Sequence, residues 1–177
     1  EVNYYRVIAA RSGTTFTTEP ALGGLATHGA IASGLPNCRA LANNGNVTLG
    51  AGDWCEFGTR ADFVLNANQP VQLTQFISGQ STTESGGIFG QGPDHAGDPA
   101  MTAVPPTEQF RDNYTFLTPA TYALQYVNII HPVGAIIELD GEMVGSVSMG
   151  NANRLPYVQR GFEDNPIGSG AWRLTIV

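Results

Sequence analysis

Apolar and polar positions in this chain alternate over short distances, and no stretch of useful length carries the three-to-four spacing of a helix face. Short runs of β-favouring residues recur between clusters of Gly, Pro, Asn and Asp. The pattern predicts strands over Tyr4–Ala10, Thr14–Thr18, Asn46–Leu49, Trp54–Phe57, Asp62–Leu65 and Val71–Ile77. A second group follows at Asn113–Leu117, Tyr122–Ile130, Ala135–Leu139, Glu142–Val144, Tyr157–Phe162 and Trp172–Val177. In Val71–Ile77 the residues Val71, Leu73 and Ile77 share one face and Gln72 and Thr74 the other. Phe76 breaks that alternation, as core of a two-sided strand or as the mark of a bulge.

The punctuation between these runs has its own chemistry. Arg11-Ser12-Gly13, Ala51-Gly52 and Asn66–Pro70 read as turns, and Glu19-Pro20 and Thr118-Pro119 end strands because proline cannot donate to a continuing ladder. His131-Pro132-Val133-Gly134 reads as a tight turn with Pro second and Gly fourth. Asp140-Gly141 is a hairpin signal, since both residues tolerate the positive φ of a type I′ turn. Two segments lack any period: 21–45, an Ala- and Gly-rich insertion ending in Asn43-Asn44-Gly45, and the long loop 78–111. So many short strands without α crossovers predict an all-β fold, an antiparallel β-sandwich with jelly-roll connectivity, or alternatively a barrel. One domain over 1–177 is expected, cut from a longer protein whose secretion signal lies elsewhere.

Composition narrows the function classes. Only 13% of residues are charged and the net charge is −7, so the polar surface is largely uncharged. All eight basic residues are Arg, scattered singly, and no basic patch offers itself to nucleic acid or an anionic membrane. No apolar run approaches the roughly 18–20 residues that span a bilayer as a helix. Cys38 and Cys55 have neither CxxC spacing nor a nearby His to suggest a metal site, and pair best as a disulfide tethering the insertion to the strand at Trp54.

Candidate chemistry concentrates in the long loop. Asp94-His95-Ala96-Gly97-Asp98 is its most site-like cluster, and Asp94 and Asp98 are candidate ligands for Ca²⁺, a cation that takes oxygen donors. Their spacing matches no EF-hand, and Asp favours turns for backbone reasons alone, so no cofactor is otherwise expected. Ile88, Phe89 and Met101 are expected to pack the loop onto the sandwich, leaving Phe89, Asp94, His95 and Asp98 as candidate binding residues. A hydrolase using His95 or His131 is the rival reading, but no G-x-S-x-G elbow accompanies the three histidines. Asn46-Val47-Thr48 and Asn113-Tyr114-Thr115 match the N-glycosylation acceptor pattern. Trp54, Tyr122 and Tyr126 suit sugar stacking, though core is the commoner fate of such residues.

Three stretches carry a family resemblance: LGAGDWCEFGTRADFVLNANQPVQLTQFISGQ, GDPAMTAVPP, and PPTEQFRDNYTFLTPATYALQYVNIIHPVGAIIELDG. Across residues 47 to 145 the chain resembles the IgGFc-binding protein N-terminal domain family, which includes part of an animal mucus glycoprotein and bacterial surface proteins. The resemblance implies an extracellular β domain used for binding, with no catalytic motif to carry over; its name makes IgG Fc a candidate ligand. Residues and resemblance together point to a non-catalytic extracellular or cell-surface module whose partner is a protein or a glycan.

The cysteine reading carries the first prediction. Reduction should add two hydrogens to the intact mass, and Cys38→Ala with Cys55→Ala should lower stability by about 3 kcal/mol for a closed loop of this length, read by urea denaturation.

Overall fold

Strand β1 (Asn3–Ala9) alternates strictly, with Tyr5, Val7 and Ala9 buried and the residues between them partly exposed. After it come β2 (Thr14–Glu19), the short helix α1 (Cys38–Leu41), β3 (Val47–Leu49), β4 (Trp54–Thr59), β5 (Val64–Ala67), β6 (Val71–Ile77) and β7 (Ala100–Val104). This computed structural model describes residues 2–25, 30–77, 100–118, 120–121, 128–132, 135–143, 157–161 and 170–176. It divides into two units, Glu1–Pro105 and Pro106–Val177, which are taken in turn. The single domain expected over 1–177 spans both.

In the first unit β1 is paired antiparallel on both sides, from Asn3↔Thr59 to Ile8↔Trp54 with β4 and from Asn3↔Ile77 to Ala9↔Val71 with β6. The order β4-β1-β6-β7 makes a four-stranded sheet, and β3-β2-β5 makes a three-stranded one. Residues of both sheets meet in one core: Tyr5, Val7, Ala9, Cys55 and Phe57 from the first, Phe16, Val47 and Leu49 from the second. Tyr5, Phe57 and Phe63 close one part of it as an aromatic trio, with ring centroids 4.7–5.5 Å apart.

The insertion joins this core through a few contacts at its ends. Leu22 and Leu25 are buried in it, and Cys38 forms a disulfide with Cys55. Asn37 caps α1 by accepting from the Arg39 backbone N–H at 2.9 Å. The Arg39 guanidinium donates to the carbonyls of Leu22, Leu25 and Gly58, so one side chain holds the insertion to itself and to β4. Glu56 donates its backbone N–H to the Pro36 carbonyl at 2.8 Å, which covers part of the β4 edge. At the end of the insertion Asn44 and Gly45 take φ of 48° and 81°, the two left-handed positions of a type I′ turn.

Several boundaries differ from the sequence pattern because partner strands decide them. β5 runs later than Asp62–Leu65: Asn66 and Ala67 belong to the ladder opposite Thr17 and Phe16, not to a turn. Asn68 begins the turn instead, accepting from the Thr15 N–H at 2.7 Å. The region 78–111 is not one loop, since β7 lies within it and pairs with β6 from Leu73↔Val104 to Ile77↔Ala100. Its sequence AMTAV has too little alternation to announce itself without that partner. Met101 does not pack into the core; its register opposite Phe76 turns it outward and leaves it 69% exposed. Ile88 and Phe89 lie outside the described residues.

The second unit holds β8 (Asn113–Thr118), β9 (Asn128–Pro132), β10 (Ile137–Leu139), β11 (Glu142–Met143), β12 (Tyr157–Gly161) and β13 (Gly170–Ile176). The orders β11-β10-β13-β8 and β12-β9 give two further antiparallel sheets. Ile129, Ile137 and Leu174 are its buried cluster, with Phe116, Ala135 and Leu139 packed against them. His131-Pro132 is strand rather than turn, because the ladder with β12 extends through Val158↔His131 and Tyr157↔Pro132. Proline is admissible there, in a two-stranded sheet where both strands are edges. The Asp140-Gly141 hairpin is as expected, with φ of 52° and 85°. The fold class is all-β, built of antiparallel sheets with only short helical pieces among the described residues.

The aromatic trio generates a pH prediction. Burial pushes the Tyr5 phenol up to about 12, against a hydrogen bond with Asn3 that lowers it and a smaller rise from Asp62. The unfolded chain ionises near 10.0, so above that pH it binds fewer protons than the folded chain and stability falls. The contribution is fully present below pH 10 and lost towards pH 12, about 2–3 kcal/mol in all. In Tyr5→Phe that part of the alkaline loss should vanish from denaturation curves recorded across the window.

Candidate binding surface

The loop residues Phe89, Asp94, His95 and Asp98, together with the Ca²⁺ pairing of Asp94 and Asp98, lie outside the described residues. So does His28. His131 is placed in β9 and is 7% exposed, a position closed to bulk solvent. The Cys38–Cys55 bond is formed as expected, with both residues fully buried.

A different set of residues is brought together on the sheet of the first unit. Because strand side chains alternate, the face of β4-β1-β6-β7 opposite the core carries Ile8, Arg6 and Tyr4 from β1. Register places Trp54, Glu56 and Gly58 beside them on β4, Gln72, Thr74 and Phe76 on β6, and Ala103 and Met101 on β7. Arg6 is the centre. Its guanidinium carbon sits 4.2 Å from the ring centroid of Trp54 and 5.3 Å from that of Phe76. Nε and Nη2 both donate to Glu56 Oε1, at 2.8 and 2.6 Å.

The result is a layered stack of indole, guanidinium and phenyl groups, pinned by a carboxylate. Arg6 and Glu56 keep 34% and 11% of their side-chain surface exposed, so the pair is shielded yet reachable. Glu56 is itself held from the other side, by Pro36 at the edge of β4 and by its neighbour Cys55 in the disulfide. The insertion thus steadies the strand that carries the stack. A rigid surface of Trp, Tyr, Phe and Arg with few rotamers to freeze is what protein interfaces use as anchors.

The chain matches the family model described as IgGFc binding protein over residues 1–165. The chain belongs to the IgGFc-binding protein family. No curated protein and no solved structure matches it. The family match is wider than the resemblance over 47–145, and takes in β1, β2 and the insertion, hence Arg6 and the clasp at Cys38. IgGFc-binding membership points to an extracellular binding module, and the disulfide fits an extracellular protein.

Sequence reasoning missed this surface. Trp54 was expected in the core but lies outside the buried cluster, on the opposite face of the sheet from Cys55 and Phe57. The available signal was Phe76, out of phase with its strand. The register of β6 with β1 is unbroken from Asn3↔Ile77 to Ala9↔Val71, so there is no bulge, and Phe76 is the apolar member of an outer row with Gln72 and Thr74.

The stack predicts that charge alone is insufficient at position 6. Arg6→Lys keeps the charge but not the planar fork, and should cost about 1 kcal/mol. Arg6→Ala should cost about 2–3 kcal/mol, because it also leaves Glu56 shielded without its partner. Urea denaturation at neutral pH reads both.

Proposed function

We propose that this chain is a non-catalytic extracellular binding module that docks a folded protein on the outer face of β4-β1-β6-β7. The observation that carries the reading is the Trp54–Arg6–Phe76 stack pinned by Glu56 on the face opposite the core. Aromatic and Arg side chains dominate the energetics of protein interfaces, and here they are already fixed in place before a partner arrives. The acidic chain, with net charge −7 and dispersed Arg residues, suits a partner other than nucleic acid. The family description makes the Fc region of immunoglobulin G the first partner to try; mucin glycoproteins are the second probe, after the family's resemblance to a mucus glycoprotein.

The test is a binding assay with immobilised Fc fragment, Fab fragment and mucin, comparing the unaltered chain with Trp54→Ala and Arg6→Ala. For the partner that binds, each variant should weaken affinity by about 2 kcal/mol, or roughly 30-fold, while circular dichroism reports the same fold. A partner bound equally well by both folded variants would overturn the assignment of this face.

A further inference from the structure

The exposed face of the second unit's four-stranded sheet has a different character. Register lays out its side chains in rows: Met143, Glu138, Thr175 and Asn113 across β11, β10, β13 and β8, then Arg173 beside Thr115, then Ala171 beside Leu117. A shallow concavity of about 640 Å³ lies over this face, lined by Thr115, Glu138, Asp140, Ala171, Arg173 and Thr175. Its floor is fixed by the hairpin: Asp140 donates its N–H to the Arg173 carbonyl at 2.8 Å and accepts the Arg173 N–H on Oδ1 at 2.7 Å. Thr175 donates to Asn113 Oδ1 at 3.2 Å, which orients that amide.

Above that floor the long polar side chains are unspent. Among the described residues the Arg173 guanidinium and the Glu138 carboxylate have no hydrogen-bond or ion-pair partner, and they do not pair with each other. Five donors on one strand therefore stand beside a carboxylate acceptor on the next, with the Thr115 hydroxyl at the side able to do either. Leu117 and Met143 flank the rows and are 77% and 71% exposed.

We propose that this face is a second binding site, for a neutral oligosaccharide. A sugar hydroxyl donates and accepts at once, so vicinal hydroxyls match neighbouring groups of opposite hydrogen-bonding sense, and the C–H faces of the ring match Leu117 and Met143. A protein partner would instead have to cover Glu138 and Arg173 against groups that happened to pair both, and among the described residues these rows hold no aromatic anchor like those on the first unit. An anionic ligand would gain from Arg173 but meet Glu138 and Asp140 alongside it. The match is to a polyhydroxylated, uncharged ligand.

The experiment is calorimetric titration of the whole chain with maltopentaose, cellopentaose and mannopentaose, with sialyllactose as the charged probe. One neutral probe should bind, with little dependence on salt. Glu138→Gln and Arg173→Gln should each weaken it at least about tenfold at unchanged melting temperature, while Trp54→Ala leaves it unaltered. Because Trp54 reports on the protein-docking face, either reading can fail without the other. No binding of any neutral probe at roughly 10 mM, preference for sialyllactose, or neutral binding indifferent to both substitutions would each overturn the proposal.

Discussion

Hydrogen bonding on both sides of β1 is the constraint on which the first unit rests. A strand paired along both edges cannot slip by one residue without moving Tyr5, Val7 and Ala9 out of the core and Arg6 into it. The register therefore fixes two things together: the apolar packing against Phe16 and Val47, and the outward line of Tyr4, Arg6 and Ile8. Core and outer face are two readings of one alternation. The stack of Arg6 between Trp54 and Phe76 follows from that pairing, since both rings come from the strands flanking β1.

Membership of the IgGFc-binding family gives this geometry a context without naming its partner. The two units offer surfaces of opposed chemistry. One is aromatic, and its cation Arg6 is matched to the Glu56 carboxylate. The other is a polar lattice in which Arg173 lies diagonally across from Glu138, two residues along from its direct partner Thr175.

Much of the architecture was legible in the residues. Turn chemistry placed Asp140-Gly141, alternation placed β6, runs of β-favouring residues placed β1 and β8, and two cysteines without metal-site spacing implied the disulfide. What the sequence concealed depended on partners distant in the chain. Ala100–Val104 becomes a strand because β6 offers it a ladder, and His131-Pro132 is drawn into β9 by β12. The composition of the outer face was hidden for the same reason. Arg6, Trp54 and Phe76 lie far apart in sequence and meet only through register, and local pattern says nothing about which residues of neighbouring strands stand opposite.

The clasp at residues 36–39 has a consequence for the chemistry of its cysteines. Pro36, Asn37 and Arg39 each fasten the segment by hydrogen bonds that do not involve sulfur, to β4, to the first turn of α1 and to three carbonyls. These hydrogen bonds are independent of the cross-link, so they favour the same neighbourhood of residues 38 and 55 before the disulfide forms. Re-forming the bond takes a two-electron oxidant: a small-molecule disulfide caps one thiol as a mixed disulfide, and the neighbouring thiolate then displaces the small thiol in an intramolecular step favoured by high effective concentration. The hydrogen bonds around the clasp favour this one pairing of sulfurs whenever an oxidant is supplied.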